Sequence, residues 1–118
     1  MNAPDRPLPL TPLSMAVLLA LSEEARHGYA IRQELEARTD GVPLGTSSLY
    51  AALRRLSDEG LIEEVSDPTD ARRRSYRVTA NGRAAARAEA LRMARVAGRA
   101  RDARLVTGPE LAGEAGLA

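Results

Sequence analysis

The residues best suited to chemistry in this chain are ones that can grip a polyanion. Thr46, Ser47 and Ser48 crowd hydroxyls into the start of a candidate helix; Tyr50, Arg54 and Arg55 follow on it, and Arg72, Arg73 and Arg74 form an unbroken basic run downstream. The free N–H groups and dipole of a helix start favour an anion such as phosphate. An arginine offers a planar fork that fits a phosphate or the two acceptors of guanine. Covalent chemistry is not similarly provisioned. The chain has one histidine, His27, and no cysteine, which excludes disulfides, thiol catalysis and Cys-rich zinc sites. No nucleophile elbow or Gly-rich phosphate loop accompanies His27. It reads as structural, with no catalytic residue, metal site or cofactor expected.

Composition bounds the rest. With 118 residues the chain has room for one core, and with no Phe or Trp and 3 Tyr that core must be aliphatic and Ala-rich. No apolar run is long enough to span a bilayer and no signal-peptide order opens the chain, so a cytoplasmic location is expected. Every one of the 17 basic residues is Arg. The net charge of +1 hides an asymmetry: residues 1–45 hold 4 Arg against 6 acids, whereas residues 46–104 hold 13 Arg against 8 acids. The positive charge begins where the hydroxyl cluster begins, which points to an anionic partner.

The elements that must position these groups follow from local signals. Residues 1–10 are proline-rich and read as a flexible arm. Thr11-Pro12 starts a first helix, with a hydroxyl cap and a proline where its missing N–H costs nothing. A turn at Glu24–His27 leads to a second helix with Ile31 and Leu35 facing inward; Gly28 is expected to permit the tight turn or close packing between the first two helices. "DGVPLG" is a loop. In the third helix Leu49, Ala52, Leu53 and Leu56 form the inner face, Arg54 projects opposite, Ser48, Tyr50 and Arg55 flank it, and Gly60 ends it. "LIEEV" and "SYRV" read as two strands of a hairpin whose connection carries Arg72 to Arg74. Thr79 caps a long last helix on which Ala86, Ala90, Met93, Ala97 and Ala100 make a heptad-like stripe flanked by Val96. That stripe predicts a homodimer, anchored by Met93, Val96, Leu105 and Val106 with help from the first helix. Thr107-Gly108-Pro109 is expected to break the helix before a mobile tail.

The order therefore predicts a mainly α fold with a small β-hairpin: a winged helix-turn-helix over 11–78, a C-terminal dimerisation helix over 79–106 and a tail over 107–118. In such a fold the third helix can enter a major groove while the hairpin reaches phosphates or the neighbouring minor groove. "HGYAIRQEL", "SSLYAALRRLSDEGLIEE" and "RRRSYRVTANGR" resemble, in order and spacing, the PadR family of bacterial transcriptional regulators, over about Leu13 to Arg99. The single helix after the wing is similar to the smaller subgroup of that family, rather than to members with a multi-helix C-terminal domain. The resemblance implies a homodimeric repressor that binds double-stranded DNA at a pseudo-palindrome and is released by a small-molecule effector, with Ser48, Tyr50 and Arg72 to Arg74 at the DNA. The family's Pro-Gly-Thr before Leu-Tyr is here Thr46-Ser47-Ser48, and the absence of Trp and Phe leaves a drug site between stacked aromatics unsupported. Two alternatives stand beside this reading. One is a winged-helix protein-interaction module without DNA binding, against which the arginines count; the other is a MarR-type regulator, similar in its "DPTDARRR" wing.

Overall fold

The computed structural model describes residues 9–38, 46–66, 69 and 73–113. Its elements are α1 (Pro12–Glu23), β1 (Arg26–His27), α2 (Gly28–Ala37), α3 (Thr46–Asp58), β2 (Ile62–Ser66), β3 (Arg74–Val78), α4 (Ala80–Asp102) and α5 (Gly108–Leu111). Thr11 caps α1 as its sequence predicts, its Oγ1 accepting the Ser14 N–H at 3.1 Å. From α1, Val17, Leu18 and Leu21 meet Ile31 of α2, Leu49, Leu53 and Leu56 of α3, and Leu61 and Ile62 beyond it. Burying each such side chain contributes about 1.5–3 kcal/mol, and these few aliphatics make the centre of the fold.

The turn after α3 is what returns the chain to that centre. Gly60 has φ 76°, a left-handed conformation that glycine adopts without a Cβ penalty. It lets the Leu61 N–H donate to the Leu56 carbonyl at 2.9 Å and the Gly60 N–H to the Ser57 carbonyl at 3.0 Å. This pair of bonds closes the helix end and drops Leu61 into the core.

The sheet has three antiparallel strands in the order β1-β3-β2, where the sequence predicts a two-stranded hairpin. The extra strand is the turn between α1 and α2: Arg26 pairs with Tyr76 and His27 with Ser75. Its side chains explain its place. The Arg26 Nε donates to the Ala20 carbonyl at 3.0 Å, and the carboxylates of Glu23, Glu24 and Glu34 lie within 4.0 Å of the guanidinium. The His27 Nδ1 and the Ser75 Oγ are 2.8 Å apart. His27 thus stitches the start of α2 to the wing.

Thr79 joins the wing to α4. Its Oγ1 donates to the Gly60 carbonyl at 2.6 Å and accepts the Gly82 N–H at 3.0 Å, while its own N–H donates to the Leu61 carbonyl at 3.1 Å. The approach is so close that a Cβ on Gly82 would lie 2.0 Å from the Leu61 carbonyl oxygen.

Three readings of the chain ends change. Leu10, assigned to a flexible arm, is buried in the core cluster. The last long helix stops at Asp102 rather than 106, because Arg104 turns left-handed at φ 64° and the Leu105 N–H returns to the Ala100 carbonyl. Thr107-Gly108-Pro109 starts α5 instead of merely breaking a helix. Thr107 and Glu110 form a reciprocal capping box there.

Candidate nucleic-acid interface

The inner face of α3 is as its periodicity predicts: Leu49, Ala52, Leu53 and Leu56 are buried, leaving Ser48, Tyr50, Ala51, Arg54 and Arg55 exposed. Of the hydroxyl cluster, Thr46 and Ser47 open α3 and their side chains lie outside the described residues. Arg54 extends into solvent from the outer face. Arg55 leans toward α1, where its Nη2 makes a long contact of 3.5 Å with the buried Ser14 Oγ. Arg72 lies outside the described residues; Arg73 and Arg74 stand exposed at the start of β3.

These groups border one concavity. His27, Gly28 and Tyr29 from the start of α2, Tyr50 from α3, and Arg73, Arg74 and Tyr76 from the wing enclose about 250 Å³. The chain's three tyrosines all converge there. Of the two roles expected of Gly28, the close packing is made with a different helix. The glycine faces α3 rather than α1: a Cβ at Gly28 would sit 3.3 Å from the Tyr50 Cε1 and 3.5 Å from its Oη. Glycine here lets the Tyr50 ring lie flush on α2 with its hydroxyl at the rim. Tyr76 is buried beneath, and burial first, then the charge of Glu64, pushes its hydroxyl above the ordinary tyrosine range.

The wing is less basic than its sequence. The Arg74 Nε lies 3.2 Å from the Glu64 carboxylate, and Arg77 pairs with Glu63. Neither acid stands out in the sequence. Both become legible once the register is known, since Glu63 faces Arg77 and Glu64 faces Tyr76, two pairs from Ser66 and Arg74 and so on the same face as Arg74.

A second, apolar surface is formed by α1 and α4. Leu10, Met15, Ala16, Leu19, Leu35 and Met93 line a cleft of about 930 Å³ between α1 and α4, with Glu89 and Arg92 at its floor. Glu89 is 3% exposed. Both its oxygens are met by Arg92, at 2.7 and 2.9 Å. The Arg92 hydrogen bonds, joined by the N–H of Leu10, hold its carboxyl below the ordinary range despite burial. Along the stripe predicted for dimerisation, Ala86 is a correction. It is buried in the chain's own core, because the first three turns of α4 pack back on α1 and the wing. Ala90, Met93 and Val96 are exposed and Ala97 and Ala100 half-exposed. Leu19, which the stripe did not include, is exposed and lines the cleft with Met93; Leu91 is exposed elsewhere on α4.

Among the described residues no three His, Cys, Asp or Glu side chains gather as a metal-binding group, and no helix is long and apolar enough to cross a membrane.

The model of the PadR-like transcriptional regulator family matches residues 17–88, from within α1 to the third turn of α4. The chain belongs to that family. A protein of transposon Tn4556 from Streptomyces fradiae, itself uncharacterised and of 37.1 kDa, is 40% identical over 85 residues. The alignment covers 72% of this chain and 24% of that protein, so this PadR-like chain spans about a quarter of its relative's length. Among solved structures, the PcaV transcriptional regulator of Streptomyces coelicolor, in complex with its natural ligand, superposes with a TM-score of 0.70 at 27% identity. That match covers 92% of this chain and 71% of PcaV. A PadR family regulator from Clostridium difficile R20291 shares the fold at a TM-score of 0.67 and 20% identity, over 80% of this chain and 98% of that one.

Proposed function

We propose that this PadR-like chain is a sequence-specific DNA-binding regulator that acts as a homodimer on a pseudo-palindromic operator, represses from there, and is released by a small molecule. The observation that supports it is contiguity. The outer face of α3 and the basic base of the wing share one concavity through Tyr50 and Arg74, so one approach of a duplex engages both. Arg54 enters the major groove and reads a base edge; Ser48, Tyr50 and Arg73 meet backbone phosphates and fix register. Arg72 joins them from the connection.

The apolar face carries the second half of the reading. Exposed Met93 of α4 and exposed Leu19 of α1 line one cleft, and with exposed Val96 further along α4 they offer an apolar surface suited to a second copy of the chain. The cleft of about 930 Å³ under them is of the size that holds a small ligand. PcaV was solved with its natural ligand bound, which supports an effector here.

The test is binding to the DNA upstream of the chain's own gene under a salt titration, repeated for Arg54→Ala on a panel of single-base operator variants. The variant should lose discrimination at one base pair in each half-site, by about 1–3 kcal/mol, with non-specific binding nearly unchanged. Tyr50→Phe should weaken every sequence by a similar factor. A uniform loss for Arg54→Ala would make that arginine a phosphate clamp instead.

A further inference from the structure

The two ion pairs on the wing differ in where they point. Residues opposite one another in an antiparallel ladder share a face. Glu64, Tyr76 and Arg74 therefore lie on one side of the β2–β3 ribbon, and Glu63 and Arg77 on the other. Arg74 borders the concavity that Tyr50 also lines; Arg77 does not. Of the two paired guanidiniums, the one placed beside Tyr50 and Arg73 to meet a phosphate is thus the one held by Glu64, at 3.2 Å.

From this we infer that Glu64 limits the affinity of the wing for DNA by competing with the backbone phosphate for Arg74, an inference that rests on the DNA-binding reading above. Both partners are largely solvent-exposed, 73% for the Arg74 side chain and 45% for that of Glu64, so the pair is weak enough to exchange. On docking, Arg74 turns from carboxylate to phosphate and Glu64 is left facing the duplex without its partner. The freed carboxylate then takes up a cation from solution. That uptake cancels part of the counterion release on which phosphate contacts depend. Glu64 keeps a strongly basic loop from clinging to any nucleic acid, and makes binding less salt-sensitive than the arginine count implies.

Glu64→Gln and Glu63→Gln make a matched comparison, because each removes one negative charge from neighbouring positions on opposite faces. Glu64→Gln should bind duplex DNA about two- to fivefold more tightly than wild type. Its slope of log K against log salt should steepen by up to about 0.9. Glu63→Gln should change both far less. In an Arg74→Ala background the gain from Glu64→Gln should vanish, since the acid acts through that arginine. Equal gains from the two single variants, or a gain that survives in Arg74→Ala, would overturn the inference and leave only bulk charge. Wild-type protein that fails to bind DNA even at low salt would overturn the underlying reading as well.

Discussion

The two exposed faces of this domain are built from opposite materials. The face of α3 and the wing carries tyrosine, arginine and carboxylate around a small concavity. The face of α1 and α4 is a cleft mainly of leucine, methionine and alanine, with the half-buried Glu89–Arg92 pair and the exposed Glu23–Arg38 pair also in its lining. Both draw on the core: Leu10, Met15, Ala20 and Leu35 line the apolar cleft and Tyr76 the concavity, and all five belong to the core cluster. Exposed apolar surface of this extent favours a partner that also excludes water; an exposed basic surface favours a hydrated polyanion. The difference accords with the two partners of unlike chemistry proposed for the domain, and it predicts that separate substitutions should disable them separately.

The largest effect should come where the faces are fastened together. A side chain at Gly82 would collide with the Leu61 carbonyl, displacing the Thr79 bonds that join wing to α4. Gly82→Ala is expected to destabilise the fold by about 3 kcal/mol, measured by chemical denaturation, and to weaken DNA binding and self-association together. Gly98, with nothing within 4 Å of a Cβ, is the control: Gly98→Ala should keep both activities and gain slightly from better helix propensity. If Gly82→Ala impairs one activity and spares the other, the two faces do not share this hinge.

Next in size is the separation of the faces. Met93 is 49% exposed, so Met93→Glu should leave the monomer folded while placing a charge into the interface between copies. Its dimer dissociation constant should rise roughly 30-fold or more, read by sedimentation, and operator affinity should fall because two half-sites are no longer held together. Ala97→Glu should act in the same direction with less effect, as Ala97 is already half-covered. Binding of each Met93→Glu monomer to a single half-site should persist. A wild type that is monomeric at micromolar concentration would remove the partner assigned to this face.

Much of this was legible in the sequence, and the failures have a common cause. Thr11, Thr79 and the Leu49–Leu56 periodicity are local signals, and the chain folds at those points as they dictate. Ala86 could not be read correctly, because a stripe of small residues has the same period whether it meets its own core or a copy. β1 has only two residues and no period at all; its strand exists because Tyr76 and Ser75 offer it a ladder. Glu64 was invisible until the hairpin register set it on the same face as Arg74. The capping box of α5 was different, since Thr107 and Glu110 have the required spacing in plain view. There Gly-Pro was read as an end although it also suits a start.

The smallest predicted effect lies at Glu89, on the apolar side of the comparison alone. It is the last buried residue of α4, the floor of the apolar cleft, and the acceptor that ties the Leu10 N–H to the helix. Its carboxyl is held below the ordinary 4.5 by Arg92. A depressed carboxylate pKa means that between the folded and unfolded values the unfolded chain binds more protons. The stabilisation is therefore complete above pH 4.5 and is lost as pH falls through the lower folded value. Glu89→Gln keeps the shape but lacks the charge, so it should melt below wild type at neutral pH and show a flatter decline in acid. The gap between the two melting curves should close as pH drops past the ordinary carboxylate range. Arg92 is 34% exposed, and solvent screening on that side keeps the effect modest. Parallel profiles for the two proteins at every pH would show that Glu89 holds the N-terminal segment by shape alone, and the charge in the cleft floor would then play no part in fastening Leu10 to α4.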